Sequence, residues 1–163
     1  MRLPHSWSGI GLVRDERRNR KDQIIERRKR ILGNKEEPKW NFKQWKADYV
    51  IIEIGSNDFG NDYSNDFIQE FLECYDKLID ELFDNYGKEI KIILIRPVLT
   101  LDNKDIIENV LKRNKERNII LYDAFYSLNE KDKSLWGFCD HPNFKGHNEI
   151  SNQIIPQIKH LFE

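Results

Sequence analysis

Two short polar motifs contain the residues best suited to chemistry in this sequence. The first is Gly-Ser-Asn-Asp at residues 55–58, where the carboxamide of Asn57 can donate hydrogen bonds to an oxyanion. The second is Cys-Asp-His-Pro at residues 139–142, where His141 can accept the proton of a hydroxyl nucleophile. Pro142 stiffens the backbone directly after that histidine. An oxyanion donor and a general base together indicate acyl-transfer chemistry.

Each motif also has a structural interpretation, which the residues alone leave open. Asn57 and Asp58 can simply cap the helix that follows, and a histidine before proline is often a surface residue in a turn. Cys139 stands close to His141, but it lies on the base's own loop. We therefore expect a buried structural cysteine there, not a nucleophile.

Alternating strand and helix patterns surround these motifs. Short apolar runs rich in β-branched residues predict strands at residues 49–54, 90–95 and 119–122. Apolar residues at helical spacing predict helices that begin near Ser64, at Asp102 and after Gly146. We expect Pro156 to bend the last of these helices. The alternation predicts an α/β fold with a parallel sheet, so that polar residues following the strands lie at one edge.

A strongly charged segment precedes these elements. Residues 14–30 contain nine Arg or Lys residues and four acidic ones, with acid and base pairs spaced four residues apart as in a stable helix. We predict a solvated, basic helical insertion over residues 14–35. The alternative is a nucleic-acid surface, but the interleaved acidic residues and the lack of stacking aromatics count against it.

The composition narrows the class of protein. A chain of 163 residues with 39% hydrophobic residues fits one domain, residues 1–163, with a substantial core. Lys and Arg total 27 against 28 Asp and Glu, which gives no general excess of positive charge for nucleic acid. The two cysteines lie outside any CxxC pair, so we expect no disulfide framework, no metal and no cofactor. We also expect no membrane span and recognise no secretion signal.

Together with a third motif, the two polar motifs resemble those of the SGNH hydrolases. The third motif is Ser-Gly-Ile-Gly at residues 8–11, and its position before the other two gives it weight. The Trp-rich run at residues 40–45 and the strand after it look like the corresponding stretch of carbohydrate esterase family 2. Members of that family deacetylate plant cell-wall polysaccharides. The resemblance therefore implies a three-layer α/β/α, flavodoxin-like fold and an acetylated carbohydrate as substrate.

The same resemblance implies roles for four residues. Asn57 and the backbone N–H of Gly9 would form the oxyanion hole, and His141 would be the catalytic base with Asp140 as its partner. In the family, however, the aspartate precedes the histidine by two or three residues. Because Asp140 directly adjoins His141, the two side chains tend to point apart.

A further departure concerns the nucleophile. The family's serine lies in a Gly-Asp-Ser block upstream of the Ser-Gly-Ile-Gly motif, and these residues contain no Gly-Asp-Ser. Ser6 and Ser8 belong to the second block and are poor substitutes. We therefore expect an N-terminally truncated fold with unpaired strand edges, and a chain that is marginally stable or prone to aggregate.

Three hypotheses about function follow. The first is a carboxylic ester hydrolase of the SGNH type that deacetylates xylan or another plant polysaccharide and is impaired by the missing serine. The second is a catalytically inactive SGNH-like module that binds a glycan or a protein. The third, a nucleic-acid binder acting through residues 14–30, has the least support. The acyl group, the sugar, the oligomeric state and the compartment stay open, although relatives are typically secreted.

Overall fold

Three parallel strands form the sheet that positions the polar motifs. The computed structural model describes residues 9–31, 35–59, 62–96, 104–115, 121–124 and 126–163. The strands are β1 (Tyr49–Glu53), β2 (Lys91–Ile95) and β3 (Leu121–Ala124), in the order β1-β2-β3. Ile51 pairs with Ile93, and Ile93 with Tyr122, both in parallel register. The predicted α/β fold with a parallel sheet is confirmed.

Helices connect the strands. The α-helices of the described residues are α1 (Ile24–Arg27), α2 (Ser56–Phe59), α3 (Asn65–Tyr86), α4 (Lys104–Asn114) and α5 (Phe144–Ile158). Short 3-10 turns cover Phe42–Gln44, Lys133–Leu135, Phe138–Asp140 and Lys159–Leu161. The start of α3 follows from Ser64, whose Oγ accepts a hydrogen bond from the Phe67 N–H at 3.4 Å. The predicted start of α4 at Asp102 lies outside the described residues.

The last helix begins three residues earlier than predicted. The Oδ1 atom of Asn143 accepts hydrogen bonds from the N–H groups of Lys145 at 2.9 Å and Gly146 at 3.2 Å. Asn143 is therefore the N-cap, and Phe144 is the first helical residue. The helix continues through Pro156 to Ile158. A bend at Pro156 stays a prediction.

Helices cover both faces of the sheet. Ile92, Ile93 and Leu94 of β2 are fully buried and point alternately to the two faces. Ile92 and Leu94 belong to a large core with α3 and α4, which includes Phe71, Tyr75, Ile79, Ile107 and Val110. Ile93 packs in a smaller core on the other face with Ile154 and Ile158 of α5. This arrangement confirms the three-layer α/β/α fold.

The charged segment does not form the predicted helix. Within residues 14–30 only Ile24–Arg27 is α-helical, and Arg18 and Asp22 adopt positive φ angles of 67° and 61°. Its charges pair with the rest of the protein instead of along one helix: Arg20 with Glu70, Arg28 and Lys29 with Glu81. The spacing of acids and bases matched a helix, but partners on α3 compete successfully with the i,i+4 pairs, which stabilise a helix by only about 0.3–0.5 kcal/mol each.

Candidate active site

A buried aspartate holds the loop of the Ser-Gly-Ile-Gly motif against the end of β1. Asp58 is completely buried in α2, which directly follows that strand. Its carboxylate accepts hydrogen bonds from three successive N–H groups, those of Leu12 at 2.9 Å, Val13 at 2.7 Å and Arg14 at 3.2 Å. Three converging backbone donors form an anion-binding nest. The loop after Gly11 is therefore wrapped around one carboxylate.

The side chain of Arg14 adds further hydrogen bonds between this loop and the region around α2. Its Nε donates to the Asp58 carbonyl oxygen at 2.7 Å, and its Nη1 donates to Asp62 at 2.9 Å. The guanidinium also lies 3.5 Å from the centre of the Phe67 ring. With only 7% of its surface exposed, Arg14 is part of the interior and not of a solvated basic face.

Asn57, next to Asp58 in the chain, also bonds to the loop of the Ser-Gly-Ile-Gly motif. The Nδ2 of Asn57 donates to the carbonyl oxygen of Ile10 at 2.9 Å, directly after Gly9 in the chain. A carboxamide nitrogen carries two hydrogens, so one remains to donate elsewhere. Gly9 has a φ of 73°, a conformation that favours glycine. At Gly11 a Cβ atom would lie 2.0 Å from the Arg14 carbonyl oxygen, so the close approach of the loop requires glycine there.

Electrostatics around Asp58 reflect its burial. Desolvation raises the pKa of the Asp58 carboxyl above its ordinary value, and the N–H donors of Leu12, Val13 and Arg14 act in the opposite direction. These donors satisfy the carboxylate form. Among the described residues, no group of three or more His, Cys, Asp or Glu side chains could hold a metal ion, and no helix is long and apolar enough to cross a membrane.

The histidine loop is held through its backbone. The N–H of Gly137 donates to the His141 carbonyl oxygen at 2.7 Å, and the His141 N–H donates to the Phe138 carbonyl at 3.3 Å. Between them Cys139 and Asp140 both adopt positive φ angles, of 53° and 57°. Two successive residues in this region store strain in the loop.

The direction of α5, the helix that follows His141, is set by its contacts with the sheet. The turn after α5 lies at the amino ends of the strands, since the Leu161 carbonyl accepts hydrogen bonds from Tyr49 and Lys91. Ile154 and Ile158, in the carboxyl-terminal third of the helix, pack beside Ile93. The helix therefore starts at the carboxyl edge of the sheet, where Asn57 also lies.

The structure does not join the residues of the histidine loop to one another. His141 and Asp140 are both exposed, and the contacts of the described chain include no hydrogen bond or ion pair between their side chains. They include none between His141 and Asn57 either. The predicted burial of Cys139 is wrong: the thiol is exposed, because the strained turn directs this residue away from the core. Ser6 and Ser8 lie outside the described residues.

A family match covers most of the chain. The model of the GDSL-like lipase/acylhydrolase family matches residues 12–154, which include Asn57, Asp58 and His141. The chain belongs to this family. No curated protein sequence matches the GDSL-like chain significantly.

Solved structures share the fold of this GDSL-like chain. A family two carbohydrate esterase from Clostridium thermocellum in complex with cellohexaose matches with a TM-score of 0.80 and 23% identity, over 96% of this chain and 48% of that one. One from Cellvibrio japonicus matches with a TM-score of 0.78 and 21% identity, over 95% and 46%. An acetyl xylan esterase from the rumen bacterium Butyrivibrio proteoclasticus matches with 0.76 and 12%, over 94% and 49%. The chain spans about half the length of these proteins.

Sequence reasoning missed the two residues that hold the loop after Gly11 against the end of β1. Arg14 was one of many basic residues, and nothing in its neighbours marks it as buried. Asp58 follows Asn57 directly at the end of a strand, and an acid in that position was a signal that could have been used. Its three N–H partners lie more than forty positions earlier in the chain, which local patterns do not reveal.

Proposed function

We propose that the chain supplies the oxyanion hole and the general base of a carboxylic ester hydrolase that deacetylates carbohydrate, such as xylan or another plant polysaccharide. The nucleophilic serine comes from polypeptide outside these residues. The observation that carries the proposal is the Asp58 nest, which holds the loop after Gly9 and the Asn57 carboxamide together where β1 ends.

The mechanism follows from these groups. The serine hydroxyl attacks the ester carbonyl, and His141 takes its proton. Asn57 and the N–H of Gly9 donate hydrogen bonds to the tetrahedral oxyanion. The bond between the acyl carbon and the sugar oxygen then breaks as His141 gives its proton to that oxygen, so that the sugar leaves with a free hydroxyl. Water hydrolyses the acetyl-enzyme by the same steps, with His141 taking a proton from water and returning it to the serine oxygen.

The base acts as a histidine without an aspartate partner. Asp140 has a left-handed backbone conformation and an exposed carboxylate that is not bonded to His141 in the described structure. The backbone bonds at Gly137 and Phe138 hold His141 in place. A dyad oriented by main-chain contacts fits this loop better than a full triad. Because the proposed serine lies outside the 163 residues, we expect these residues alone to hydrolyse esters poorly or not at all.

The first test is the coding sequence upstream of Met1, where we expect a Gly-Asp-Ser block. The protein that carries it is assayed on p-nitrophenyl acetate and acetylated xylan. Asn57→Ala should lower kcat about a hundredfold and His141→Ala about a thousandfold or more. Asn85→Ala and His147→Ala, which change exposed residues elsewhere on α3 and α5, serve as controls and should keep full activity. Full activity in the His141 variant, or the lack of any such serine block, would exclude this mechanism.

One observation favours a second function, a glycan-binding module without catalysis. Phe138 and Phe144 stand on either side of His141 in the chain, and their surfaces are 91% and 80% exposed. Exposed aromatic faces are suited to stacking on the C–H faces of sugars, and they are otherwise rare on a soluble surface.

Calorimetry separates the two functions. A binding module should bind xylohexaose or cellohexaose in the 163-residue form and lose affinity in Phe138→Ala and Phe144→Ala. Phe162→Ala, which removes a half-exposed ring beyond the other end of α5, is the control and should bind normally. Ester hydrolysis that requires His141 would reject the inactive module.

A further inference from the structure

The Asn143 side chain joins the start of α5 to a segment on the other side of the histidine. Its Nδ2 donates to the carbonyl oxygens of Ser134 and Trp136, each at 2.9 Å. Its Oδ1 accepts the two bonds from the Lys145 and Gly146 N–H groups that begin the helix. A carboxamide has two N–H hydrogens and an oxygen with two lone pairs, so every hydrogen-bonding position of this side chain is occupied.

Backbone contacts carry this connection to the histidine. Residues 135–137 run antiparallel to residues 141–143, and we call residues 134–143 the histidine hairpin. Three contacts join its two segments: the Asn143 N–H donates to the Leu135 carbonyl at 2.9 Å, Trp136 bridges to Pro142, and the Gly137 N–H donates to the His141 carbonyl at 2.7 Å. The histidine therefore ends this paired stem, and the Asn143 side chain bonds across its other end.

The stem lies directly on the first turn of α5. Gly146 is buried, and a Cβ atom there would lie 2.3 Å from the Leu135 carbonyl oxygen and 2.9 Å from the Pro142 Cβ. The upstream segment is also anchored, since the Trp136 Nε1 donates to the Asn129 carbonyl oxygen at 3.0 Å. Helix and stem are therefore in backbone contact, and the side-chain bonds fix how one lies on the other.

The tip of the hairpin cannot supply this restraint. Residues 138–140 are exposed, and Cys139 and Asp140 have positive φ angles. A strained backbone persists only when the surrounding structure holds it in place. The bonds of the stem, and not the tip, therefore fix the position of the His141 backbone.

Capping of the helix explains only half of the bonds that Asn143 makes. Asp and Ser cap a helix about as well as Asn. Neither of these side chains has the two N–H hydrogens that reach the Ser134 and Trp136 carbonyl oxygens. The amide nitrogen is therefore needed for the hairpin and not for the helix.

We infer that Asn143 is a positioning residue for the proposed general base. Its two Nδ2 hydrogen bonds hold the stem of the hairpin, so that His141 stays within reach of the proton that it takes. The effect on catalysis rests on the proposed ester hydrolysis. The restraint on the hairpin is a property of the 163 residues and is measured without a substrate.

Amide hydrogen exchange followed by NMR tests the restraint on the 163-residue chain. Asn143→Ser and Asn143→Asp keep a cap oxygen and lose both amide donors. Each should speed exchange at the Gly137 N–H at least about tenfold, because the stem opens more often. Residues 150–158 of α5 should exchange as in the wild-type chain. Asn148→Ser, at an exposed position of the same helix, is the control and should change neither rate.

Kinetics test what the restraint does for catalysis. In the protein that carries the serine block, both Asn143 variants should lower kcat for p-nitrophenyl acetate about tenfold or more and leave KM within about twofold. The reason is that a displaced base weakens the transition state more than substrate binding. Asn148→Ser should keep full activity. A loss of kcat in Asn143→Asp alone would contradict the inference, because the added charge would then be the cause.

The two measurements separate this inference from the proposed function. Unchanged exchange at Gly137 in both Asn143 variants would overturn the inference. Full kcat in a variant whose stem exchanges faster would do the same, as would an equal rise in exchange along α5, since the side chain would then serve the helix alone. A serine-bearing wild-type protein that hydrolyses no ester rejects the proposed function, and exchange at Gly137 still decides whether Asn143 holds the hairpin.

Discussion

The two halves of the candidate site are stabilised in different ways. The loop after Gly9 is held by a buried carboxylate with three N–H donors and by the buried Arg14. The loop before α5 is exposed and strained, and its described restraints are mainly backbone bonds. An oxyanion hole has to be rigid before charge develops, whereas a base has to move protons in contact with solvent and substrate. The difference suits those two roles.

The largest expected effect is the loss of the Asp58 carboxylate. In Asp58→Ala three backbone N–H groups lose their buried acceptor, and the buried Arg14 loses a neighbouring negative charge. The free energy of unfolding should therefore fall by about 3–5 kcal/mol. The matched change Asp140→Ala removes an exposed carboxylate from the other loop and should change it by less than about 0.5 kcal/mol. Urea unfolding followed by circular dichroism measures both. Similar losses in the two variants would remove the contrast between the halves.

A smaller effect is expected from adding one methyl group to each loop. In Gly11→Ala the new Cβ would meet the Arg14 carbonyl oxygen at 2.0 Å, and backbone atoms cannot easily move away. We expect a loss of about 1–3 kcal/mol. In Gly137→Ala the nearest atom is the Asn143 Cβ at 3.4 Å, an ordinary contact, and the loss should stay below about 0.5 kcal/mol. Thermal unfolding of the two variants gives the comparison, and the reverse order would contradict it.

The smallest effect should have the opposite sign. Asp140 has a φ of 57°, which glycine adopts without strain. Asp140→Gly should therefore stabilise the protein by up to about 1 kcal/mol. Asp140→Ala keeps the strain and is the control for loss of the carboxylate. If both variants have the same melting temperature, the loop is not strained at this position.

The sequence predicted the sheet and its main helices because these depend on local patterns. The apolar runs at 49–54 and 90–95 and the cap at Ser64 are local signals, and the strands and α3 appear where they indicate. The family motifs also placed Gly9 and Asn57 in one site, and the structure bonds the Asn57 carboxamide to the carbonyl of Ile10, the residue after Gly9. The catalytic roles of these residues and of His141 stay predictions.

What the sequence alone determined was the periodicity, the caps and the order of the motifs, since these act between residues close together in the chain. Only the tertiary structure decided which charges are buried. From local sequence alone, Arg14 and Asp58 would be predicted to lie at the surface. The fold instead buries them against each other, although they are more than forty positions apart in the chain. Similarly, Arg20 and Arg28 of the charged segment form ion pairs with residues of α3, and the segment does not form a helix over its whole length. Long-range pairing of this kind depends on packing, and local composition carries no record of it.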